Sequence, residues 1–369
     1  MSITVALNGP YSDGIVYDSR YDSEYGTGAL SRLVYTAKLN AAGSAEITFP
    51  AKYFSRTTLD TRAVPYRTVV EIRRNETLLF RGRVLLPSDD FYKNRTVMCE
   101  GEFNFLCDSV VSAGTLSGTP AALLSSLISA HNSQVDAFKR FTVGSVTVSP
   151  SVNPSVDLKE ATTTAAALTK LIEQVGGIIR FDTVNGSRTI SWLSSAGQNL
   201  QPVHYGVNLI DFTETYSASD ICNRVIAFGK SNNNSRLALP APGYVQDTDA
   251  QAAYGIISKP VIFNECETVA DLAAKATEYL SEHKSPIKSI TVKAVDLSAA
   301  GLRWHASGSE SFAISPFDVG KTIEVVSAPH GINGTWLLTQ MTCDLFNPQN
   351  DRITLGAAPT PLSGIVANQ

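Results

Sequence analysis

The segment VVSAPHGINGTW, residues 325–336, is the part of this chain that most resembles a catalytic loop. It contains His330 followed by a glycine, then Asn333-Gly334, and Cys343 stands downstream. A histidine activates a cysteine only when the two lie within hydrogen-bond reach. If Asn333-Gly334 forms a hairpin turn, Cys343 lies roughly 20–27 Å beyond the partner of His330, at about 3.3 Å per residue. We therefore predict a hairpin tip with an exposed His330 and no His–Cys dyad.

The other histidines and the paired carboxylates also lack the spacing of a catalytic or metal site. No two histidines have HxxxH spacing, and His131 and His283 end predicted helices, where they suit the terminal carbonyls. His204 and His305 lie in loop-like sequence. Asp89-Asp90 is consecutive, which favours turn capping over an acid–base pair. We expect no catalytic residue, no metal and no cofactor.

Two further features suggest anion binding, and both have a simpler interpretation. Gly26 and Gly28 in YGTGALS resemble part of a phosphate loop, but the third glycine, the preceding strand and a downstream Lys-Ser pair are missing. Arg81 and Arg83 could bind an anion or a partner carboxylate. The favoured interpretation is the solvated or interface side of a half-buried strand. GxSxG, HExxH and Walker motifs are absent from the sequence. The case for an enzyme is therefore poor.

Composition indicates a folded protein of several domains. The chain has 369 residues, of which 43% are hydrophobic and 17% charged. A net charge of -4 argues against a nucleic-acid binder that neutralises phosphates. The N-terminal residues do not resemble a secretory signal, and no apolar run of about 18 residues predicts a membrane span. Five widely spaced cysteines without a CxxC pair predict reduced thiols and folding in a cytosol.

Hydrophobic periodicity predicts β-rich regions on both sides of an α+β segment. Residues 1–107 contain alternating strands, two of them joined by a tight turn at Arg74–Thr77. Residues 108–215 contain two helices, PAALLSSLISAHN and TTTAAALTKLIEQVGG, and a hairpin at Asn185-Gly186. The second helix has threonines for its N-cap and ends at Gly176-Gly177. The predicted fold class is therefore mixed, β-rich α+β and multidomain.

Residues 216–358 read as a second β-rich region with an insertion at about 231–285. The insertion begins with an exposed excursion, Ser231–Tyr254, which is rich in Asn, Ser, Pro and Gly. A helix with a capping-box-like Thr268 and Asp271 follows. Its predicted inward residues are Val269, Leu272, Ala276, Tyr279 and Leu280. Four strands close the region, and residues 359–369 are predicted to form a C-terminal tail.

Several segments together resemble one known family. The run LFRGRVLLPSDDFYKNRTVMCEGEFNFLCDS, Leu79–Ser109, resembles minor structural proteins of phage tails. The resemblance continues through SDICNRVIAFG and YGIISKPVIFNECETVADLAAKATEYL to Phe317–Gly356. It spans most of the chain in the same order. The family comprises tail-hub proteins of long-tailed phages and includes tail-associated lysins, the prophage endopeptidase tail proteins.

The resemblance implies a baseplate-hub fold, related to hubs of contractile-tailed phages and to the base of type VI secretion spikes. Residues 1–107 and 216–358 would be two tail-tube-like β-barrel domains, joined to smaller α/β domains. Three copies would form a ring whose six barrels match a six-fold tube. The expected role is a structural hub at the distal end of a siphophage tail tube. It would be assembled in the bacterial cytoplasm and would gate exit of the tape-measure protein and DNA.

The same resemblance implies the partners. They are the distal tail protein, the tape-measure protein and receptor-binding, fibre or spike proteins. DNA would pass through without specific binding, and no stable membrane insertion is expected. Larger family members extend into hydrolase domains, whereas only AAPTPLSGIVANQ follows the last predicted strand here, so no hydrolytic residue is carried over. Two alternatives stay open: an endopeptidase acting on peptidoglycan crosslinks, and a hub that binds host glycan through Ser231–Tyr254. A contractile particle is also left open.

Overall fold

A computed structural model of the protein describes residues 2–10, 14–20, 29–51, 62–150, 152–184, 187–232, 235–300, 303–305 and 311–356. Gly26, Gly28, the Asn185-Gly186 turn and the predicted tail lie outside these residues. The first of two units comprises described residues of Met1–Cys107, Ser195–Thr213 and Thr291–Gly356, and the second those of Asp108–Ser194 and Glu214–Ile290. Both units are discontinuous in sequence. The four consecutive domains drawn from the sequence stay a prediction.

Most regular structure in the described residues is β-strand. The strands are β1 (Ile3–Asn8), β2 (Ile15–Asp18), β3 (Arg32–Lys38), β4 (Ser44–Phe49), β5 (Val69–Arg74), β6 (Thr77–Asp89), β7 (Arg95–Gly101), β8 (Val110–Val111), β9 (Gly114–Ser117), β10 (Thr142–Val146), β11 (Ser155–Leu158), β12 (Thr162–Thr163), β13 (Ile178–Val184), β14 (Ser187–Leu193), β15 (Val203–His204), β16 (Leu209–Ser217), β17 (Arg224–Asn232), β18 (Ser235–Ala238), β19 (Val245–Gln246), β20 (Ser258–Ile262), β21 (Ile287–Ala294), β22 (Arg303–His305), β23 (Ser311–Ala313), β24 (Thr322–Ser327), β25 (Ile332–Asp344) and β26 (Arg352–Gly356).

The helices are few. The α-helices are α1 (Pro120–Gln134), α2 (Thr164–Val175), α3 (Thr248–Tyr254) and α4 (Val269–His283). Short 3₁₀ turns occupy Glu102–Asp108, Ala137–Lys139, Leu297–Ala300, Ala328–His330 and Pro348–Asn350. The predicted β-rich, mixed fold class is therefore confirmed at this level.

A 13-stranded sheet brings strands from both ends of the sequence together. Its order is β16-β21-β26-β25-β3-β4-β7-β6-β5-β1-β2, with β24 on β25 and β15 on β24. β25 pairs antiparallel with β3, so the C-terminal strands join those of the first hundred residues. Alternation buries one side of β4 and of β7, for example Ile47 beside Val97.

The tight turn predicted at Arg74–Thr77 is confirmed. Asn75 and Glu76 both have positive φ, 46° and 68°, which is the backbone of the two-residue turns favoured in hairpins. β5 and β6 consequently pair from Arg74 and Thr77 onward. The buried side of this hairpin includes Ile72 and Phe80, whose backbones are directly opposite each other.

In the second unit, helices α1 and α2 pack with short sheets. Thr163 caps α2 by accepting a hydrogen bond from the backbone N–H of Ala166, and Gly176, with φ 77°, ends it. Both features follow the sequence prediction. β13 and β14 form the predicted hairpin, and β10 pairs with β14 in parallel.

The predicted exposed excursion is more ordered than the sequence suggests. β18, β19 and β20 all pair with β17. Helix α3 lies between β19 and β20 in sequence. α4 packs its Leu272, Ala276 and Leu280 against this sheet. Thr268 caps α4 as predicted, but Val269 is exposed rather than inward, because it occupies the first turn beside the cap.

Candidate functional site

His330 lies at a hairpin tip, but the turn is not the predicted one. Ala328–His330 form a 3₁₀ turn, and Gly331 completes the reversal in the left-handed region with φ 67°. Asn333 and Gly334 are strand residues of β25, paired with Val326 and Val325 of β24. The Asn-Gly turn predicted from the sequence is therefore wrong, although His330 is exposed as expected.

The neighbours of His330 are aromatic rings and a hydroxyl. Ser327 Oγ lies 2.7 Å from His330 Nδ1, and the ring centroids of Tyr205 and Phe212 lie 5.4 and 5.1 Å from that of His330. Cys343 is buried on β25 opposite Tyr35, and burial raises the pKa of its thiol to about 12. A thiol with that pKa is not a nucleophile at neutral pH. No His–Cys dyad forms.

A serine–histidine contact that the sequence does not reveal lies inside the second unit. Ser109 Oγ is 2.7 Å from His131 Nδ1 and 2.7 Å from Thr164 Oγ1, while His131 Nε2 lies 3.1 Å from the carbonyl oxygen of Lys139. All three side chains are buried. Burial lowers the pKa of His131, so the neutral imidazole is favoured. Because these atoms are buried, a substrate cannot reach them, and we interpret the contact as structural. The three residues are far apart in sequence, so no sequence motif predicts the contact.

Arg81 and Arg83 are buried within the first unit, which corrects their predicted solvated position. Arg81 Nε lies 2.8 Å from Glu102 Oε1, and Arg83 Nε lies 2.7 Å from Glu100 Oε1. The Arg83 guanidinium also lies 4.7 Å from the ring centroid of Tyr66. Both arginines are thus paired with carboxylates of their own unit, which leaves neither of them exposed to bind an external anion.

Asp90 caps the turn, as predicted, whereas Asp89 is a strand residue of β6 whose carboxylate pairs with Arg95. Asp89 makes two contacts with Arg95, at 2.7 and 2.9 Å, across the end of the β6–β7 hairpin. Asp90 Oδ1 accepts a hydrogen bond of 2.8 Å from the backbone N–H of Asn94, and Lys93 adopts a positive φ of 63°. Neither carboxylate is positioned for acid–base chemistry.

These caps define a rigid loop with exposed aromatic residues, Asp90–Asn94, which we call the hairpin tip. Phe91 is 92% exposed and Tyr92 76% exposed, with ring centroids 5.3 Å apart in an edge-to-face arrangement. Leu86, on β6 near the tip, is 58% exposed. Clustered exposed apolar side chains are typical of interaction surfaces.

A second apolar surface, which we call the aromatic patch, includes His330 and the two rings that contact it, Tyr205 and Phe212. The exposed Val207 and Ile210, which lie between those two residues in sequence, are counted with it. Tyr205 is 55% exposed and Val207 57% exposed. The sequence prediction missed this surface, because the residues come from two segments more than a hundred positions apart and neither segment is unusually hydrophobic.

The second unit contains an open pocket of about 990 Å³. Its charged lining is balanced between five basic and five acidic side chains: Lys159, Lys170, Lys230, Arg236 and Lys275, with Asp157, Glu173, Glu265, Glu278 and Glu282. Phe263 and Tyr279 supply aromatic surface. The predicted excursion contributes Ser231 and Arg236. Such a lining suits a ligand bearing both charges or hydroxyl groups better than a simple anion.

The first unit also buries a cluster of carboxylates. Arg74 forms an ion pair with Asp296, and Gln201 Nε2 donates a 3.0 Å hydrogen bond to the same carboxylate. Asp351 accepts a 2.7 Å hydrogen bond from the backbone N–H of Asp344. Burial raises the pKa of Asp351 to about 7. Because Asp351 is buried, its protonation changes the free energy of unfolding.

The other histidines considered in the sequence, as far as the structure describes them, do not converge on a common site. His283 Nδ1 lies 2.8 Å from the carbonyl oxygen of Tyr279, and His204 Nε2 lies 4.0 Å from Glu324. His305 belongs to β22, which pairs with β23. Among the described residues, no group of three or more His, Cys, Asp or Glu side chains is arranged to hold a metal ion.

Comparison with known proteins gives these surfaces a context. Residues 197–365 match the model of the family described as prophage endopeptidase tail. Solved structures of three prophage or tail proteins share the fold over nearly the whole chain. The chain is similar to phage tail proteins, in sequence over residues 197–365 and in fold over nearly its whole length. The family resemblance drawn from the sequence is thereby confirmed, while no curated protein is significantly similar in sequence to this chain.

The similar structures are these. Prophage tail protein gp18 from Listeria monocytogenes EGD-e has a TM-score of 0.60 and 12% identity, covering 99% of this chain and 97% of its own. The 43 kDa tail protein of prophage MuSo2 from Shewanella oneidensis has a TM-score of 0.61 and 13% identity, covering 97% and 98%. The tail protein from Neisseria meningitidis MC58 has a TM-score of 0.63 and 13% identity, covering 97% of both chains. At these identities the likeness concerns the fold. No helix in the described residues is long and apolar enough to cross a bilayer.

Proposed function

We propose that this tail protein is a structural hub whose three copies form a ring at the distal end of the tail tube. The observation that carries the proposal is β16, a strand at the end of the sheet with exposed apolar side chains. In the sheet order of the described residues, its one neighbouring strand is β21. Ile210 and Tyr216 on β16 are both more than half exposed. Natural proteins rarely leave an apolar sheet edge uncovered, so a strand or surface of another chain would cover it.

In the proposed ring, each copy would have two tube-like β-barrels, so that a three-fold ring matches the six-fold symmetry of the tail tube. Three copies would present six barrel-like elements to a six-fold tube. The β-rich segments 1–107 and 216–358 would supply them, linked by the pairing of β25 with β3. The net charge of -4 is small and negative, so the protein would not attract DNA phosphates strongly. This fits a channel through which the tape-measure protein and DNA pass without specific binding.

The remaining partners follow from that position at the tip of a siphophage virion. The distal tail protein would contact the ring from above, and receptor-binding, fibre or spike proteins from below. In this role the protein needs no catalytic residue. Expression, folding and ring assembly would take place in the bacterial cytoplasm, before attachment to the tail.

The oligomeric state tests the proposal directly. Light scattering after size exclusion is expected to give three chains per particle, and electron microscopy a ring that stacks on purified tail tubes in the presence of the distal tail protein. A species that stays monomeric at high concentration, and forms no ring beside those neighbours, would overturn it. A zymogram on host cell walls tests the non-enzymatic part, since clearing that a point substitution abolishes would identify a peptidoglycan hydrolase.

One observation favours an added glycan-binding role. The excursion contributes Arg236 to a pocket that is also lined by the partly buried Phe263 and Tyr279, and a pocket with aromatic and polar lining suits a sugar. Arg236 Nη1 donates to Asn264 Oδ1 at 2.9 Å, which holds it at the pocket wall. Pull-down with host-surface glycan is expected to lose signal in Tyr279→Ala but not in Tyr254→Ala. Equal binding by both variants would exclude this pocket.

A further inference from the structure

A buried arginine of the first unit has a hydrogen-bond donor that is not used. Arg74, the last residue of β5, is 6% exposed and forms an ion pair through Nη1 with Asp296 Oδ2. Its Nε is also buried, and no acceptor in the described part of the chain lies within hydrogen-bond reach of it. A buried donor without a partner is unfavourable, so this guanidinium has the capacity to bind a second carboxylate.

The carboxylate of Asp296 organises the turn that follows β21. Gln201 Nε2 donates a hydrogen bond of 3.0 Å to Asp296 Oδ1, and the backbone N–H of Ser298 donates one of 2.9 Å to the same oxygen. The backbone N–H of Leu297 donates to Gln201 Oε1. We call Asp296, Leu297 and Ser298 the Asp296 turn. The ion pair with Arg74 therefore joins this turn to β5.

The Asp296 turn also supports the segment 201–208, which precedes β16. One contact is the hydrogen bond between Gln201 and Asp296. The second is donated by the backbone N–H of Val295 to the carbonyl oxygen of Asn208, at 2.9 Å. Both ends of the segment are thus attached at the Asp296 turn or beside it, so a change in the turn alters how the segment is held.

A second carboxyl group lies close to the same arginine. Asp351, which precedes β26, is 5% exposed and accepts a hydrogen bond of 2.7 Å from the backbone N–H of Asp344. The charged and titratable groups around it come from the neighbouring strands: Asp344 and Cys343 on β25, Tyr35 on β3, Arg74 on β5, and Asp296 after β21. Arg74 is the one cation among these groups, and three carboxyl groups share it.

Protonation decides how many of those carboxyl groups are charged. Burial raises the pKa of Asp351 to about 7, so Asp351 is neutral at pH 5 and charged at pH 8. Burial also raises the pKa of Tyr35 and that of Cys343, the latter to about 12, so both of these groups stay neutral over this interval. Above pH 7, Asp351 and Asp296 therefore compete for Arg74.

We propose that Arg74 is a pH-dependent latch for the Asp296 turn. While Asp351 is protonated, the guanidinium pairs with Asp296 and the turn is held. When Asp351 releases its proton to solvent, the carboxylate accepts the unused Nε–H and draws Arg74 away from Asp296. The Asp296 turn and segment 201–208 then loosen. All these groups belong to the first unit, so the inference goes beyond the proposed hub and does not depend on it.

The partner of Arg74 can be followed by NMR. The full chain is labelled with arginine carrying ¹⁵N at Nε, and the Arg74 resonance is assigned by its absence in Arg74→Lys. We expect the Nε–H proton to shift downfield between pH 5 and pH 8, because it acquires a carboxylate acceptor. In Asp351→Asn, which does not ionise, the resonance should stay in place. A wild-type resonance that does not shift would overturn the proposal.

Hydrogen exchange resolved to single residues tests whether the turn is released. After correction for the intrinsic effect of pH, the amides of Leu297 and Ser298 should exchange roughly ten- to hundred-fold faster at pH 8 than at pH 5, which corresponds to one charge-assisted hydrogen bond. Asp351→Asn should abolish the difference. Asp296→Asn, which removes the charge that Arg74 binds, should give fast exchange at both pH values.

The dependence on urea separates local release from unfolding of the unit. Local release exposes little surface, so the fast exchange of Leu297 and Ser298 at pH 8 should be nearly independent of low urea concentrations. Exchange that rises with urea as steeply as that of the buried Ile47 on β4 would overturn the latch. So would a shift of the Arg74 resonance without faster exchange, because Arg74 would then bridge both carboxylates. Asp211→Asn, at an exposed position, is the matched control and should behave as wild type in both measurements.

Discussion

Asp351 provides a stability prediction that can be worked out from the structure. The side chain is 5% exposed at the start of β26, and Asp344 N–H donates to it at 2.7 Å. Burial is the largest cause that raises its pKa, from 3.8 to about 7, and the nearby Asp296 and Asp344 carboxylates add to it. The hydrogen bond and the Arg74 charge oppose this rise without cancelling it.

The direction of the pH effect follows from linkage. A carboxyl group whose pKa is higher in the folded state binds its proton more tightly there. Its stabilising contribution is complete below 3.8 and is lost as the pH rises to about 7. At about 1.4 kcal/mol per pH unit, that interval corresponds to roughly 4 kcal/mol of unfolding free energy. The first unit should therefore be more stable at pH 5 than at pH 8.

Asp351→Asn separates charge from hydrogen bonding. The amide oxygen can still accept from Asp344 N–H, while no charge is buried at high pH. We expect the variant to unfold with a free energy nearly independent of pH between 5 and 8, and to exceed wild type at pH 8 by up to roughly 4 kcal/mol. Hydrogen exchange of the peptide spanning residues 338–356, followed by mass spectrometry, measures this stability in the first unit alone.

Asp211→Asn is the matched control, since it removes the same charge from an exposed position. It should leave the pH dependence of the 338–356 peptide unchanged. The reasoning would be refuted if wild-type protection were flat between pH 5 and 8. It would also be refuted if Asp351→Asn kept the wild-type slope.

Three further predictions concern buried contacts. Arg83→Met, which leaves Glu100 without its ion-pair partner, should destabilise the protein by about 3–5 kcal/mol in urea unfolding, and a second change, Glu100→Leu, should recover most of the loss. Because burial lowers the pKa of His131, amide protection of α1 should fall as the pH drops below 6.5, and His131→Gln should remove that fall. Gly101→Ala should cost about 3 kcal/mol by thermal or urea unfolding, since its Cβ would lie 1.7 Å from the carbonyl oxygen of Ala42. A neutral effect of any of these would contradict the packing described.

Local sequence signals predicted the helices and hairpins well where interactions between residues close in sequence determine the conformation. The caps at Thr163 and Thr268 are examples, because a threonine oxygen and a nearby backbone N–H are only three residues apart. The Asn333-Gly334 turn failed for a related reason. Pro329 and Gly331 already reverse the chain two residues earlier, so the Asn-Gly pair is carried into β25.

Burial of the second side of a strand could not be predicted from alternation alone. Arg81 and Arg83 alternate with apolar residues, which is the pattern of a solvated side. Their carboxylate partners Glu100 and Glu102 lie on β7 and in the 3₁₀ turn after it, and a linear pattern does not show which segment covers a strand. The same limit hid the aromatic patch, whose two segments are brought together by the pairing of β15 with β24.

The distribution of buried and exposed side chains fits the proposed structural role. Here His131, Arg83 and Asp351 are buried and committed to internal partners, while Phe91 and Tyr205 face solvent from fixed backbones. Exposed rings on a hydrogen-bonded turn can bind another surface with little loss of conformational entropy. The proposed hub would need that combination, since it would have to hold its neighbours in a fixed register.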